Sequence, residues 1–449
     1  DATGGCPSSD PAFKGCGKEA WAFIPTMVLK NLYRLADAKY ENPLYHVYSV
    51  DGTPSVGDIY DDRTGQKIWK TLLVGGLEGG GDPSAGNQGF YALDITDPQN
   101  PKGMWEFKRT GTCASTFSVG ASGDGCLGAS FGNPIISKYK DGTTTGKWVV
   151  FVTSGYNNAD GNGYLYMLDA ATGTIIDRIA TGASTDPSNP SGLNHINNWV
   201  TDTLTNNLTE RVYGVDLLGN VWRFDVNDTI GPAGREAALI GTATAPDRTP
   251  QSITTRPELA EVDTKPMIFV GTGRLLGASD TLASYDQKQS IYGIIDDLNK
   301  PSGSATAVYP KTATAEMRDS LKPLALSIKS GTTTQREVKC TGTSAQCAST
   351  NGWVVDLPDK FERVNVDVKL QLGTLVVASN VPSEDGCTIG GYSWLNYLNF
   401  STGTAVSNSG GVAGERLSSA LVVGLNIVRL PHGKTVVITT TSDAQQKTI

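Results

Sequence analysis

Residues 147–169 read KWVVFVTSGYNNADGNGYLYMLD, and this stretch decides the fold. Its first part, Val149–Gly155, is a run of apolar residues that ends on a glycine. Its second part, Leu165–Asp169, alternates around a central aromatic residue and ends on an acid. Runs of this length and alternation are typical of β-strands. The stretch therefore predicts a β-hairpin closed by a polar loop over residues 157–162.

The same two-part pattern returns along the chain. Apolar first parts recur at residues 71–76, 211–215 and 267–271, and they are followed by second parts at 90–94, 221–225 and 291–296. A looser copy pairs residues 374–377 with 394–398. Because side chains alternate along a strand, the central aromatics should be buried at equivalent positions. These aromatics are Tyr91, Tyr166, Trp222 and Tyr292. In the fourth copy an extra residue separates Tyr292 from Asp296, which predicts a bulge there.

A hairpin followed by one or two further strands makes a small antiparallel unit. Serial units of this kind predict an all-β fold, a modified β-propeller with long loop insertions. The central aromatics stand 75, 56 and 70 residues apart, against roughly 40 to 45 residues in a minimal propeller repeat. Long loops are therefore expected over residues 78–87, 111–129, 157–162, 183–198 and 300–349. The last residues, 421–449, alternate enough to supply closing strands.

Composition narrows the classes of function. Glycine makes up 52 of 449 residues, and only 18% of residues are charged, which favours many short strands and tight turns. The net charge is −8 and no basic run occurs, so nucleic acid is not an expected partner. No apolar run reaches the roughly 20 residues that span a bilayer, so no transmembrane segment is expected. Residues 1–5 do not resemble a signal peptide, and we expect the mature region of an exported protein.

Six of the seven cysteines form close pairs in sequence. The pairs flank loops rich in Gly, Ser and Thr, where a disulfide would remove roughly 2 to 3 kcal/mol of unfolded-state entropy. We predict the disulfides Cys6–Cys16, Cys113–Cys126 and Cys340–Cys347, with Cys387 left over. A zinc site is the competing interpretation, but no Cys-x-x-Cys occurs in the sequence. Disulfides indicate an oxidising compartment and hence export.

Helical periodicity is scarce. One amphipathic helix is predicted over Thr26–Tyr40, with Val28, Leu29 and Leu35 among the residues on its apolar face and Thr26 as its N-cap. We expect it to be a short helical insertion or lid.

The motifs resemble the propeller of the PilC/PilY family of type IV pilus proteins. The resemblance runs nearly the whole chain in order, through residues 21–25, 50–54, 69–76, 90–98, 131–134, 217–225, 352–363 and 391–395. It implies one domain over residues 1–449 with about seven blades. It further implies a non-enzymatic binding module at the outer membrane or pilus tip that supports pilus assembly, adhesion, twitching motility and virulence. Minor pilins are the partners it implies, and it names no surface receptor.

The resemblance also implies a calcium loop before the strand at residues 211–215. The matching positions are Asp202, Leu204, Asn206, the carbonyl of Leu208, and Glu210. Leu204 departs from the pattern, because an apolar side chain offers no oxygen to calcium. We predict a weakened calcium site here, and a plain polar turn is the alternative.

Two other classes of function stay open. Hairpins of this form also resemble quinoprotein dehydrogenase propellers, although the polar ligands of a quinone site cannot be assembled from the sequence.

The Gly-x-Ser-x-Gly around Ser130 is followed by Asn133-Pro134, so we interpret Ser130 as a loop residue rather than a nucleophile. His46, His195 and His432 lie in polar, turn-like sequence without a nucleophile partner. A glycan-binding propeller is the third class, with Trp199 or Tyr156 as exposed aromatics that stack on sugar.

Overall fold

The structure is a computed structural model, and it describes residues 21–448 with gaps. The gaps are residues 43–44, 64–66, 82–85, 143–144, 228–234, 282–285, 300–306, 313–314, 384–389, 408, 418–419 and 432–434. The predicted Cys6–Cys16 pair, Cys387 and His432 therefore lie outside the described residues.

The first three units are four-stranded antiparallel sheets whose strands follow one another in chain order. Blade 1 contains β1 (Ser55–Asp61), β2 (Ile68–Gly76), β3 (Gly89–Asp94) and β4 (Lys102–Lys108). Blade 2 contains β5 (Ile135–Tyr139), β6 (Lys147–Thr153), β7 (Tyr164–Asp169) and β8 (Ile175–Ala180). Blade 3 contains β9 (Ile196–Val200), β10 (Thr209–Val215), β11 (Asn220–Asp225) and β12 (Ala237–Thr242).

Blade 4 carries an insertion between its third and fourth strands. It begins with β13 (Glu258–Val262), β14 (Lys265–Gly271) and β15 (Ser290–Ile295), with a 3-10 helix at Ala278–Thr281. The insertion holds α1 (Met317–Ser320), β16 (Lys322–Ile328), β17 (Gln335–Cys340) and α2 (Ser344–Cys347), and β18 (Gly352–Asp356) completes the blade. The predicted loop over residues 300–349 is thus wrong in part, because two strands form within it.

The last units are blade 5 and a three-stranded sheet. Blade 5 contains β19 (Lys369–Gln371), β20 (Thr374–Pro382), β21 (Gly391–Asn399) and β22 (Gly414–Arg416). Blade 6 contains β23 (Val422–Arg429), β24 (Thr435–Thr441) and β25 (Gln446–Thr448), the predicted closing strands. Strand β17 pairs with β22 and so joins blades 4 and 5 into one sheet.

The first strands of the blades lie against one another in series. Strand β1 contacts β5, β5 contacts β9, β9 contacts β13, β13 contacts β19, and β19 contacts β23. First strands that meet in this way surround the axis of a propeller. The all-β propeller prediction is confirmed, and the described strands form six units where about seven were expected.

The four central aromatics are buried at equivalent positions on the third strands of blades 1 to 4. Each faces the preceding element: Tyr166 packs with Phe107 of blade 1, with ring centroids 5.2 Å apart, and Trp222 belongs to the same buried cluster as Phe151 of blade 2. The predicted bulge at Tyr292 is wrong, since β14 and β15 pair without a register shift and Asp296 lies just past the strand. Shifts occur instead between the third and fourth strands of blades 1 to 3.

The predicted N-terminal helix is shorter and of another type. It is a 3-10 helix over Thr26–Ala36, with Pro25 rather than Thr26 at its N-cap. The Thr26 backbone N–H donates to Glu106 Oε1 at 2.6 Å, so Thr26 is tied to blade 1. A 3-10 helix has three residues per turn, and it buries Met27, Val28 and Asn31 while residues 29 and 35 are exposed. Met27 and Val28 cover Tyr91, as a preceding blade does elsewhere.

Two of the predicted cysteine pairs are disulfides in the structure, Cys113–Cys126 and Cys340–Cys347. The first closes the long connection between blades 1 and 2, and the second closes the insertion of blade 4 onto α2. No helix among the described residues is long and apolar enough to cross a membrane.

Candidate ligand-binding face

The connections between the first and second strands of blades 1, 2 and 3 cover residues 62–67, 140–146 and 201–208. Because the first strands of a propeller run in the same direction along the axis, these connections emerge on one face of the ring. Loops on a rigid scaffold are where binding residues concentrate. This face also holds the predicted calcium loop.

Three aromatic rings meet on this face. Tyr60 on β1 lies opposite Trp69 on β2 in the strand register, and their ring centroids are 5.5 Å apart. Trp148 on β6 of the next blade meets Trp69 edge-on, with centroids 5.9 Å apart and planes at 77°. The Trp69 residue is 60% exposed, whereas Trp148 is partly buried against the core between blades 1 and 2. The rings form a corner that opens to solvent.

A groove of about 770 Å³ runs along this aromatic corner. Lys138 lies opposite Trp148 in the register, and its Nζ is 5.6 Å from the centre of the Trp148 ring. The same Nζ donates to the carbonyl of Thr145 at 3.2 Å. Lys147 Nζ lies 2.8 Å from Asp169. Burial lowers the Lys147 pKa, but the hydrogen bond to Asp169 and the negative charges of Asp169 and its neighbours together raise it above its ordinary value. Lys138 and Lys147 are therefore held in place.

The predicted calcium loop is a compact turn in the structure. Asp202 Oδ1 accepts from the backbone N–H groups of Leu204 at 3.2 Å and Thr205 at 2.9 Å. The Thr205 hydroxyl donates to the other carboxylate oxygen of Asp202. These hydrogen bonds, first of all the one from the Thr205 side chain, lower the pKa of Asp202. Asn206 Oδ1 accepts from the backbone N–H of Leu208 at 3.0 Å. The geometry is that of the polar turn.

The loop supplies oxygens at all but one of the positions that the calcium prediction names. Four of the five predicted positions carry an oxygen, and Leu204, at 95% exposure, points its apolar side chain into solvent. Glu210 lies 3.4 Å from the Arg211 guanidinium, which competes with a bound cation for the carboxylate. Calcium takes roughly six to eight oxygens, so water would complete any shell here. Calcium at this loop stays a prediction.

The loop abuts the aromatic groove. Gly146, whose φ is +67°, lies against Leu208 so closely that a Cβ there would come within 2.3 Å of Leu208 Cδ2. Leu208 also forms a bridge with Lys138 on β5. The structure thus joins one predicted ligand position to two residues that line the groove, a contact that the sequence did not indicate.

The two aromatics suggested for sugar stacking have different surroundings. Tyr156 is buried, so its predicted exposure is wrong; it packs on Phe131 with centroids 4.8 Å apart. Trp199 is partly buried, with the Arg211 guanidinium 5.5 Å from its ring centre. It lines a second groove of about 480 Å³ together with Thr203 and Asn207 of the predicted calcium loop.

The serine and histidines considered for catalysis have structural partners. Ser130 is fully buried, and its hydroxyl accepts from the backbone N–H of Leu77 at 2.9 Å. His195 Nδ1 lies 3.1 Å from Asn194 Oδ1, and burial lowers the His195 pKa. The His46 ring packs between Tyr40 and Tyr48. Ser130 is therefore part of the support for the loop after β2.

One cluster of potential metal ligands occurs within the part of the chain that the structure describes. It consists of Cys113, Cys126 and Asp160. Because the two sulfurs are joined in a disulfide, they offer no thiolate to zinc. The cluster is better described as a disulfide with an acid beside it.

The six units around a common axis, with grooves between strand connections, define the class as a β-propeller. The sequence profile of the PilY1 beta-propeller domain matches residues 16–328, and the chain belongs to this family. A crystal structure of the Pseudomonas aeruginosa PilY1 C-terminal domain superimposes with a TM-score of 0.70 at 22% identity. The alignment covers 96% of this chain and 89% of that one, which shows the shared fold.

Two curated relatives extend the comparison. The type IV pilus biogenesis factor PilY1 of Pseudomonas aeruginosa is 27% identical over 432 residues, which cover 87% of this chain and 34% of that protein. A PilY1 homolog of Xylella fastidiosa is 28% identical over 428 residues, which cover 93% of this chain and 30% of the relative. The chain thus spans about a third of the length of these relatives.

Proposed function

We propose that this chain is the propeller of a type IV pilus biogenesis factor and acts as a non-enzymatic binding module. The observation that carries the proposal is membership of the PilY1 propeller family, together with relatives that are named type IV pilus biogenesis factors. In this role the propeller supports pilus assembly, twitching motility and attachment to surfaces. Sites rather than folds carry chemistry, and the buried environment of Ser130 favours binding over hydrolysis.

The proposed location is the bacterial cell surface, at the outer membrane or pilus tip. The disulfides Cys113–Cys126 and Cys340–Cys347 support it, because disulfides persist in oxidising compartments such as the periplasm and cell exterior. Minor pilins are the proposed protein partners. A surface receptor is the second kind of partner.

Replacing the chromosomal copy with one that lacks this propeller tests the proposal. We expect few surface pili by electron microscopy and a loss of twitching zones, both restored by the complete gene. A matched control carries Val119→Ser, a change at an exposed side chain outside the proposed sites. Immunoblots of the periplasm and surface fractions show that the truncated protein is still made and exported. Cells with normal pili and twitching would contradict the proposed role.

Co-purification tests the partners. The complete protein, tagged and extracted with sheared pili, should retain minor pilins, and the truncated protein should not. Equal recovery of minor pilins by both forms would place their binding outside this propeller. In that case the proposed role in pilus assembly would be tested by the electron microscopy experiment alone.

A further inference from the structure

We propose that the groove at Tyr60, Trp69 and Trp148 binds a linear oligosaccharide. The inference specifies a ligand for the binding module and does not depend on the pilus assembly role. It differs from sugar stacking on Trp199 or Tyr156, since it uses other residues on other blades.

The exposure of Trp69 is the first observation. Trp69 is 60% exposed, although it lies on a regular strand, and the partly exposed ring of its cross-strand partner Tyr60 lies beside it. Burying apolar surface stabilises a protein by roughly 25 cal/mol per Å², and an exposed side chain does not contribute this free energy. Contiguous exposed apolar groups typically mark a place that a ligand covers. Trp69 therefore has the surroundings of a ligand contact rather than of a core residue.

The shape of the site is the second observation. The groove volume of about 770 Å³ lies within the roughly 300 to 1,000 Å³ of known ligand sites. Trp69 and Trp148 stand at 77° to one another, and Tyr60 is tilted by 58° from Trp69. A pyranose ring has an apolar C–H face and an edge of hydroxyls. A flat aromatic ring can stack on the apolar C–H face of the sugar, and an open groove with several such rings can accommodate a chain of sugars.

The polar lining is the third observation, and it favours a saccharide over an apolar peptide. Of the ten lining residues that the structure describes, six are polar or charged, namely Asp62, Lys67, Lys138, Asp141, Thr145 and Lys147. They supply donors and acceptors for sugar hydroxyls beside the aromatic faces. Lys147 is paired with Asp169, so the described lining carries charges of both signs, and the ammonium groups of Lys67 and Lys138 can bind the carboxylate of an acidic sugar.

The site is held rigid before any ligand arrives. Tyr60 and Trp69 are cross-strand partners, and Trp148 packs on the core between blades 1 and 2. Lys138 is fixed by the Thr145 carbonyl and lies near the Trp148 ring, an attractive cation–π arrangement. Groups that are already ordered lose little entropy on binding. The rings are thus preorganised for stacking.

Binding is measured on the 449-residue chain with two probes, cellohexaose as a neutral oligosaccharide and hexa-mannuronate as an acidic one. Titration is followed by calorimetry and by the indole N–H resonance of Trp69 in NMR spectra. We expect one or both hexasaccharides to bind and to shift the Trp69 resonance, and Trp69→Ala to weaken binding by at least about tenfold. Trp69→Ala should keep the wild-type Tm, because the side chain is mostly exposed. Glucose alone should bind far more weakly than the hexamers.

The matched control is Trp199→Ala in the second groove, which should bind the hexasaccharides as wild type does. Three results overturn the proposal. They are no binding of either hexasaccharide, unchanged binding by Trp69→Ala, and loss of binding in Trp199→Ala but not in Trp69→Ala. If Trp69→Ala proved unstable, Lys67→Ala and Thr145→Ala in a folded chain provide the second test, with several-fold weaker binding expected. None of these results depends on pilus assembly, so failure here is distinct from failure of that role.

Discussion

Arg336 and Glu362 form a two-pronged ion pair in the interior, with Nη1 to Oε1 at 2.7 Å and Nη2 to Oε2 at 2.9 Å. Both side chains are fully buried. Arg336 belongs to β17 of the blade 4 insertion, and Glu362 lies in the connection to blade 5. The Arg336 guanidinium also lies 3.7 Å from the centre of the Trp394 ring on β21. The pair thus fastens the insertion to the next blade.

Glu362→Ala should lower the free energy of unfolding by about 3 to 5 kcal/mol, because it removes the bidentate partner of the buried Arg336 charge and leaves only Asp359, whose Oδ2 lies 3.1 Å from Nη2. Arg336→Met combined with Glu362→Leu should cost less than Glu362→Ala alone, since no charge is then stranded. Urea unfolding of the three proteins measures the difference. If Glu362→Ala were as stable as wild type, Asp359 alone would be sufficient to compensate the Arg336 charge.

Trp222→Ala should behave as a core truncation. The ring is buried between blades 2 and 3, and its Nε1 donates to Asp216 Oδ2 at 2.9 Å. We expect a loss of about 3 to 5 kcal/mol in the free energy of unfolding. Trp69→Ala is the matched control, an exposed tryptophan that should leave thermal unfolding unchanged. Equal Tm values for the two variants would be incompatible with the blade assignment.

Asp216 should make stability depend on pH. Burial raises its pKa from 3.8 to about 6, against hydrogen bonds from Trp222 and Asn220 that lower it. The folded state then binds more protons than the unfolded state between these values, so this carboxyl's contribution to stability falls as pH rises from about 4 to 6. The full loss is about 3 kcal/mol by linkage. Asp216→Asn should remove this component from the pH profile measured by denaturant unfolding. If the wild type and Asp216→Asn showed the same dependence of stability on pH, the pKa of Asp216 would have to be close to its ordinary value.

Calcium should bind the Asp202–Glu210 loop weakly, with a dissociation constant on the order of 0.1 to 1 mM, the weak end for such loops. Titration calorimetry on chelator-treated protein measures it, and Asp202→Asn should abolish the heat. Leu204→Asp restores the missing carboxylate at an exposed position and should tighten binding at least about tenfold, because ligand charge sets affinity. Absence of heat in both wild type and Leu204→Asp would leave the polar turn as the full description of this loop.

Removal of the Cys113–Cys126 disulfide should destabilise the connection between blades 1 and 2. The bond closes a sequence separation of 13 residues, and Cys113→Ser with Cys126→Ser should cost about 3 kcal/mol. Thermal unfolding measures the loss, with Cys340→Ser plus Cys347→Ser as the comparison for a shorter loop.

Non-reducing peptide mapping tests the predicted Cys6–Cys16 pair in the same samples. A peptide in which Cys387 is joined to one of the six would overturn that assignment.

Strand positions and the buried aromatics were predictable from the sequence. Tyr166 and Trp222 lie in short runs in which apolar and other residues alternate. Side chains of any β-strand alternate between its two faces, so this pattern depends only on neighbouring residues. The N-terminal helix shows the limit of such reasoning. Its apolar residues were assigned with the α-helical period, but the hydrogen bond from Thr26 to Glu106 and packing on Tyr91 hold a 3-10 helix instead. The insertion of blade 4 was missed because the pairing of β17 with β22 is long-range.

The sequence by itself determined the family, the repeated hairpins and the disulfide spacing, because each depends on residues close together in the chain. Only the tertiary structure decided that Tyr60, Trp69 and Trp148 meet in one groove beside Leu208. Tyr60 and Trp69 share a hairpin, but Trp148 and Leu208 come from the next two blades. Their contact depends on strand twist and on how blades pack around the axis, and neither is encoded by the local alternation of side chains.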